Sequence, residues 1–385
     1  MTSAPLLTQI AGEIAATTAG PDADRVDRLG EFPAPAMASV RSAGLLGALI
    51  PAELGGPGAT VSAVGEAVTA LAQGCASTAL IYAMHSIQVA SLVRHGTPAM
   101  CARLVPGLLA GKILVASANS EVGLGGDRRV STCALEPIDG GFRLEKRASA
   151  VSYGAAADII FATARRTPDS LAHDQVMAVC APPSLQLERL GEWDSLGLRG
   201  TCSEPFLLTC EVEPQMVFDD YGSVFLRTSL GVSVTLLASV WLGIAEAAAK
   251  QAHQVVRQQA RARRAKANAE PSIGAIRLAE LSVVLHQLRE VVAGGRADYE
   301  AVKDDDAVTS FAFASRMDKL KLAAASLAPE VVRRALEITG MSGYKNDSPS
   351  SLGRSLRDVS GASLMISNDR TLLALAQLLP IRKEL

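Results

Sequence analysis

The spacing of apolar residues changes twice along this chain of 385 residues. Up to about residue 110, and again from about residue 222, apolar residues recur every three or four positions, as in amphipathic helices. From Lys112 to residue 218 they form short alternating runs, and Asp139-Gly140-Gly141 predicts a hairpin turn. The sequence therefore predicts an α+β fold with an N-terminal helical domain at 1–111, a β-barrel or sandwich domain at 112–221 and an antiparallel four-helix bundle at 222–385.

Two uncharged runs, at residues 67–93 and 228–245, are long enough to cross a bilayer. Both contain small polar residues, their neighbours have the pattern of amphipathic helices, and the first run includes His85. We interpret them as central helices that are buried on all sides of a large protein, so we expect no membrane span. His85 is then a hydrogen-bonded core residue rather than a catalyst.

The amino-acid composition limits the classes of fold and partner that this chain can have. Hydrophobic residues make up 49% of the chain but aromatic residues only 4%, which favours packed helices around an aliphatic core. The formal net charge of −2 gives no reason to expect a nucleic-acid partner. The six cysteines are scattered without a CxxC pair, which indicates free thiols, no metal site and a cytoplasmic location.

Four stretches are informative because of their order and spacing along the chain: "GLLGALIPAELGGPGAT" (44–60), "SEVGLGGD" (120–127), "LGLRGTCSEPFLL" (196–208) and "ALEITGMSGY…SLRD" (335–358). Together they resemble the acyl-CoA dehydrogenase superfamily over essentially the whole chain. That superfamily includes dehydrogenases and a branch of flavin monooxygenases on the same fold. The resemblance implies an oxidoreductase that binds FAD, or uses FMN or reduced flavin as a co-substrate. It also implies a homodimer or homotetramer, with an electron-transfer or flavin-reductase partner.

The glycine-rich loop "NSEVGLGGDRR" follows a predicted strand, and its glycines let backbone N–H groups approach a ligand closely. By resemblance, the flavin contacts fall in three places. Residues near the flavin ring and substrate are Ser117, Asn119, Ser120, Gly125 and Gly126, followed by Ser152 in a second flavin-contacting strand. A turn that would reach a neighbouring subunit's FAD contains Gly340, Met341 and Gly343. The family's Arg-x-x-Phe-Gly segment is replaced by "RQQARARRAKANAEP" (257–271).

The expected catalytic base is missing from the sequence. In the dehydrogenases a glutamate follows an Arg-Asp pair, which here is Arg357-Asp358, and its position falls on Ser367 or, with a slip of one residue, on Ile366. The alternative glutamate position of some members falls near Ser233 and Val234. Asp369 is one candidate replacement, but two positions along a helix rotate it by about 200° from residue 367. A first-turn Asp also suits a helix N-terminus.

Two functions remain open from the sequence. One is α,β-dehydrogenation of an acyl thioester, bound to CoA or a carrier protein, with the usual glutamate absent. The other is oxygenation of a small molecule by reduced flavin and O₂, for which no carboxylate is needed at position 367. A scaffold that has lost its flavin is a third interpretation, against which the intact glycine-rich loop argues. Arg199, Thr201 and Ser203 are either structural or in contact with the substrate.

Overall fold

The computed structural model describes residues 4–124, 127–264 and 272–381. Its N-terminal region is helical, as predicted. The helices are α1 (Ala4–Ile14), α2 (Gly20–Leu29), α3 (Ala34–Ser42), α4 (Val61–Gly74), α5 (Ala76–His95) and α6 (Pro98–Leu109). Hydroxyls cap two of them: Thr60 accepts the Ala63 N–H at the start of α4, and Thr97 accepts the Met100 N–H at the start of α6.

The middle region contains two four-stranded sheets. Its strands are β1 (Val115–Ala118), β2 (Leu135–Ile138), β3 (Gly141–Ala148), β4 (Ile159–Arg165), β5 (Gln175–Cys180), β6 (Gln186–Arg189), β7 (Phe206–Val212) and β8 (Val217–Phe218). One sheet has the order β1-β4-β5-β8, with β1 and β4 parallel, and the other is the antiparallel sheet β2-β3-β7-β6. The predicted hairpin is confirmed, since β2 and β3 pair around Asp139-Gly140, where Gly140 has a φ of 79°.

The C-terminal region returns to helix. It consists of α7 (Tyr221–Val224), α8 (Leu230–Arg264), α9 (Ile273–Val302), α10 (Phe311–Thr339), α11 (Met341–Tyr344), α12 (Gly353–Ser360) and α13 (Asn368–Leu378). A π-helical turn, Phe225–Ser229, joins α7 to α8. Gly340 ends α10 at a φ of 59° and a ψ of −140°, a conformation that favours glycine. The predicted fold class, with a helical, a β and a second helical region, is thus confirmed.

Both uncharged runs lie in the interior. Two helical segments, Ala76–His95 and Tyr221–Ala262, are long and apolar enough to cross a membrane, yet 89% and 94% of their most apolar windows are buried inside the protein. Their small polar groups bond to helix backbone, as when Ser86 donates to the Tyr82 carbonyl and Ser239 to the Thr235 carbonyl. His85 is fully buried and bonds at both ring nitrogens, to the Leu46 carbonyl and the Val115 N–H. Its prediction as a core residue is confirmed.

One buried ion pair anchors the glycine-rich loop to the sheets. Lys146, on β3, places its Nζ 2.7 Å from the Glu121 carboxylate and 2.6 Å from the Thr163 carbonyl, and both charged side chains are buried. The same carboxylate accepts the Thr132 N–H at 2.8 Å and the Ser131 and Thr132 hydroxyls. Burial opposes ionisation of Glu121, but Lys146 and these donors lower its pKa to about 2. Both ends of the loop are therefore held at one carboxylate.

We expect Lys146→Met to destabilise the protein by about 3–5 kcal/mol, because it leaves the Glu121 charge buried without its cation. The double variant Glu121→Gln/Lys146→Met removes both charges and should lose clearly less stability. Urea unfolding of the two variants beside the wild type measures the difference. A double variant as unstable as Lys146→Met would show that the charge pairing is not what holds the loop.

Candidate active site

A cavity of about 520 Å³ opens where the three regions of the chain meet. The N-terminal helices contribute one wall from α5, with Leu80, Met84, Ile87 and Gln88. The β region contributes the end of β1, the loop at 127–129 and the turns at 150–152 and 193–203. The remaining wall comes from the start of α7, the π-helical turn, α8 and the segment from α12 to α13. Most of the surface that the lining presents is apolar, and hydroxyl, amide and guanidinium groups are distributed over it, as in small-molecule sites.

The structure brings together four of the residues predicted to contact a flavin. The cavity is lined by Ser117, Asn119, Ser120 and Ser152. The Ser120 hydroxyl already donates a hydrogen bond to the Ala150 carbonyl at 3.1 Å. Gly125 and Gly126 lie outside the described residues. The turn with Gly340, Met341 and Gly343 does not line this cavity, and Met341 is 65% exposed.

The segment around Ser152 differs from the expectation of a second strand. Strand β3 ends at Ala148, and Ser152 lies in the turn that follows, because Tyr153 adopts a φ of 45° that interrupts an extended backbone. The Tyr153 hydroxyl donates to the Val115 carbonyl at 3.0 Å and ties this turn to β1. The turn thereby holds Ser152 beside the end of the strand that carries Ser117.

A row of hydroxyls runs behind Ser152. Ser203 donates to Ser152 at 2.8 Å and lies 2.8 Å from Thr201, whose hydroxyl is 2.9 Å from the Leu198 carbonyl. Since Ser152 accepts this bond, its own hydroxyl hydrogen can be donated to a group in the cavity. Arg199 instead bonds the Asp27 carbonyl and Asp194 and does not line the cavity, so it is structural, whereas Thr201 and Ser203 are lining residues.

The Arg357-Asp358 pair holds the site together. Asp358, only 4% exposed, accepts the Leu198 N–H at 2.7 Å and so fixes the turn that leads to Thr201 and Ser203. Burial raises the pKa of Asp358 to about 6, against the hydrogen bond from Leu198 and the charge of Arg354. Arg357, which lines the cavity, pairs with Asp27 on α2. Helix α12 is therefore bound to both other regions of the chain.

Carboxylates are scarce in this cavity. Asp127 is the only one among its described lining residues, and it pairs with Arg129 at 2.9 Å and 3.0 Å. Hydrogen bonding to Arg129 lowers the pKa of Asp127 to about 2, which leaves it a weak base. Ser367 lines the cavity and caps α13 by accepting the Arg370 N–H at 3.4 Å. Asp369 is exposed in the first turn of α13 and is not a lining residue.

The lining residues suit a polar, aromatic ligand such as a flavin. Four buried polar atoms have no partner among the described residues although their side chains line the cavity: Asn119 Oδ1, Trp193 Nε1, the Tyr221 hydroxyl and Ser233 Oγ. Such atoms are costly to bury without a partner, so a bound molecule that supplies donors and acceptors would offset that cost.

Several lining residues were missed in the sequence. Trp193 and Tyr221 lie in no local motif, and Arg128 belongs to the glycine-rich stretch "NSEVGLGGDRR" but was not recognised as a lining residue there. The three side chains line one cavity only through the tertiary fold. A weak signal did exist for Tyr221, because it is one of only five tyrosines and lies seven residues before the second uncharged run. The Arg-Asp pair of the family identifies Asp358 in the sequence, but only its contact with the Leu198 N–H reveals its role.

These features define a fold of the acyl-CoA dehydrogenase type, with one cavity enclosed by a helical, a β and a second helical region. Family models described as "Acyl-CoA dehydrogenase, N-terminal domain" and "Acyl-CoA dehydrogenase, C-terminal domain" match residues 5–112 and 235–369. The chain belongs to the acyl-CoA dehydrogenase superfamily, and the predicted class of flavin-dependent oxidoreductase is confirmed.

Relatives that are named for different activities are similar to the chain. An L-evernosamine nitrososynthase from Micromonospora sp. is 29% identical, with 89% of this chain and 82% of the relative covered. Mitochondrial isovaleryl-CoA dehydrogenase from Arabidopsis thaliana is 26% identical, with 88% and 81% covered. Among solved structures, KijD3 in complex with FMN and dTDP-3-amino-2,3,6-trideoxy-4-keto-3-methyl-D-glucose has a TM-score of 0.83 at 26% identity, with 99% of this chain and 94% of that chain covered.

We expect the stability conferred by residue 358 to depend on pH. The Asp358 carboxyl has a pKa of about 6 when folded against 3.8 as its ordinary value, so its contribution is greatest below pH 4 and is lost as the pH rises through 6. Asp358→Asn can still accept the Leu198 N–H and cannot ionise. Its free energy of unfolding relative to the wild type should therefore rise by roughly 2–3 kcal/mol between pH 4 and 7. Urea unfolding at both pH values measures this offset, and a constant offset would contradict the assignment.

Proposed function

We propose that the protein is a flavin-dependent monooxygenase, which oxidises a small molecule with reduced flavin and O₂. The observation that carries the proposal is the cavity's lack of a usable base among its described lining residues. Removing an α-proton from an acyl thioester requires a positioned base with a pKa suited to the task. Asp127 is neutralised by Arg129, and residues 367 and 233, at the two family positions, are serines.

The chain's own residues would perform three tasks in this reaction. Asn119 and Ser152 would bind the flavin, with the unpartnered Asn119 oxygen accepting and the Ser152 hydroxyl donating. Leu80, Met84, Ile87 and Leu237 form an apolar wall that would exclude water from the reacting atoms. Reduced flavin, when bound, supplies the electrons that activate O₂.

The comparisons support this reaction class without fixing the substrate. A nitrososynthase is named for forming a nitroso group, which is an oxidation at nitrogen, and KijD3 was solved with FMN. We therefore favour FMN over FAD. Dehydrogenation of an acyl thioester is the second candidate, supported by the similarity to isovaleryl-CoA dehydrogenase.

We also propose a homodimer or homotetramer, a flavin-reductase partner and a cytoplasmic location. Met341, in the predicted inter-subunit turn, and Tyr344, beside it, are 65% and 69% exposed, and burying them against a second copy would be favourable. A reductase is the source of reduced flavin that the oxygenase reaction needs. All six cysteines lie in the described part of the chain and are free, as suits a reducing compartment.

The flavin's redox behaviour separates the two candidate functions. We expect the purified protein to bind added FMN, and we expect short- and medium-chain acyl-CoA thioesters to leave the absorbance of the bound oxidised flavin unchanged under anaerobic conditions. With a reductase, NADH and O₂, a library of amines and aromatic compounds should yield an oxygenated product by mass spectrometry. Bleaching by a thioester would establish the dehydrogenase instead, and failure to bind any flavin would refute both.

We expect Ser152→Ala to weaken flavin binding about fivefold, since one hydrogen bond contributes roughly 1 kcal/mol. Asp369→Asn is the control, because Asp369 is exposed and does not line the cavity. Fluorescence titration with FMN measures both dissociation constants. Equal effects of the two substitutions would mean that Ser152 does not donate to the flavin.

A further inference from the structure

The charged residues that line the cavity are mostly cations. Its described lining residues include four arginines, at positions 128, 129, 357 and 370, and one carboxylate, Asp127. Asp127 already pairs with Arg129, and Arg357 pairs with Asp27 outside the cavity. Neither flavin ring binding nor oxygenation requires this excess of cations, so it calls for a separate explanation.

Arg128 is the cation whose charge is left unmatched. Its guanidinium forms no hydrogen bond or ion pair with any of the described residues and instead lies 5.4 Å from the centroid of the Phe225 ring. Gln175, which is 4% exposed, donates to the Arg128 carbonyl at 3.2 Å and fixes the backbone at this point. Arg128 is thus held at both ends while its N–H groups stay available to a ligand.

Tyr221 supplies an independent observation beside Arg128. It is 3% exposed and lines the cavity, and its buried hydroxyl has no partner among the described residues. The Tyr221 ring packs against Phe225 with centroids 6.2 Å apart, so Phe225 contacts both the tyrosine and the guanidinium. Burial raises the pKa of Tyr221 while the charge of Arg128 opposes that change, which leaves a neutral O–H donor beside a cation.

We propose that Arg128 and Tyr221 form an oxyanion subsite for the substrate, which binds a phosphate or carboxylate group of the molecule to be oxidised. Arg128 supplies charge and paired N–H donors, Tyr221 supplies one O–H donor, and Phe225 holds both in place. Tyr221 and Phe225 come from α7 and the π-helical turn before α8, and Arg128 comes from the loop at 127–129. Ser117 and Asn119, two of the proposed flavin contacts, lie at the end of β1 and just after it, and Ser152 lies in the turn after β3. This inference rests on the proposed function for the identity of the substrate, but the oxyanion site itself can be tested without turnover.

Inorganic pyrophosphate serves as the oxyanion probe, and riboflavin, which has no phosphate, serves as the flavin. We expect pyrophosphate to raise the melting temperature of the riboflavin-loaded and FMN-loaded wild type alike. Arg128→Met keeps an unbranched apolar side chain over Phe225 and should weaken pyrophosphate binding at least tenfold, while Tyr221→Phe should weaken it about fivefold. Arg103→Met changes the net charge equally at a surface pair with Glu213 and should bind pyrophosphate like the wild type.

Each outcome has a definite meaning. If Arg128→Met removes a preference for FMN over riboflavin, and FMN loading abolishes the pyrophosphate effect, the subsite holds the flavin phosphate and the substrate assignment is wrong. If Arg103→Met matches Arg128→Met, or pyrophosphate has no effect on the wild type, there is no oxyanion subsite. Loss of flavin binding by the wild type would refute the proposed function instead, and titration of the flavin-free protein with pyrophosphate would still report on Arg128.

Discussion

The hydrogen bond from Leu198 to the buried carboxyl of Asp358 is the contact on which the cavity depends. It ties the C-terminal helix α12 to the turn that leaves the β region, and the neighbouring Arg357 ties the same helix to α2. The turn in question leads into the row of hydroxyls that ends at Ser152. Arg357 and Asp358 therefore connect three regions of the chain that are distant in sequence. Burying a carboxyl whose pKa is raised costs folding free energy at neutral pH. We infer that this contact serves to position the turn at Leu198 rather than to stabilise the fold.

Regular structure could be predicted from the sequence because it follows from local periodicity. The order of helical and β regions and the hairpin at Asp139-Gly140 both depend on neighbouring residues. The turn at Ser152 could not be predicted, because Tyr153 takes a left-handed conformation that a tyrosine rarely adopts. Its buried hydroxyl, bonded to Val115, helps to hold the residue there, and that contact exists only in the folded protein.

Site residues could be predicted from the sequence only where they lie in segments that resemble those of the family. Ser117, Asn119, Ser120 and Ser152 could be placed beside the cavity by resemblance, because they lie in segments whose order resembles the family's. Tyr221 and Trp193 could not, since each is an ordinary residue in its local context. Arg128 lies in the glycine-rich stretch, but nothing in that stretch indicates that its side chain lines the cavity. Glu121 illustrates the same limit: nothing in "NSEVGLGG" indicates that one carboxylate would be buried against Lys146 and would hold both ends of the loop.

The π-helical turn at Phe225–Ser229 connects the fold to the chemistry of the cavity. A π turn adds a residue to a helix and so changes which side chains face a given wall, and such turns are frequent at functional sites. Here Phe225 and Ser229, at its two ends, both line the cavity, and Ser229 also bonds Ser91 on α5 at 3.1 Å. Without that extra residue, Phe225 and Tyr221 would be rotated by about 100° relative to α8. The Phe225 ring would then no longer lie against the Arg128 guanidinium, so the aromatic support of this cation depends on one irregular turn in an otherwise regular helix.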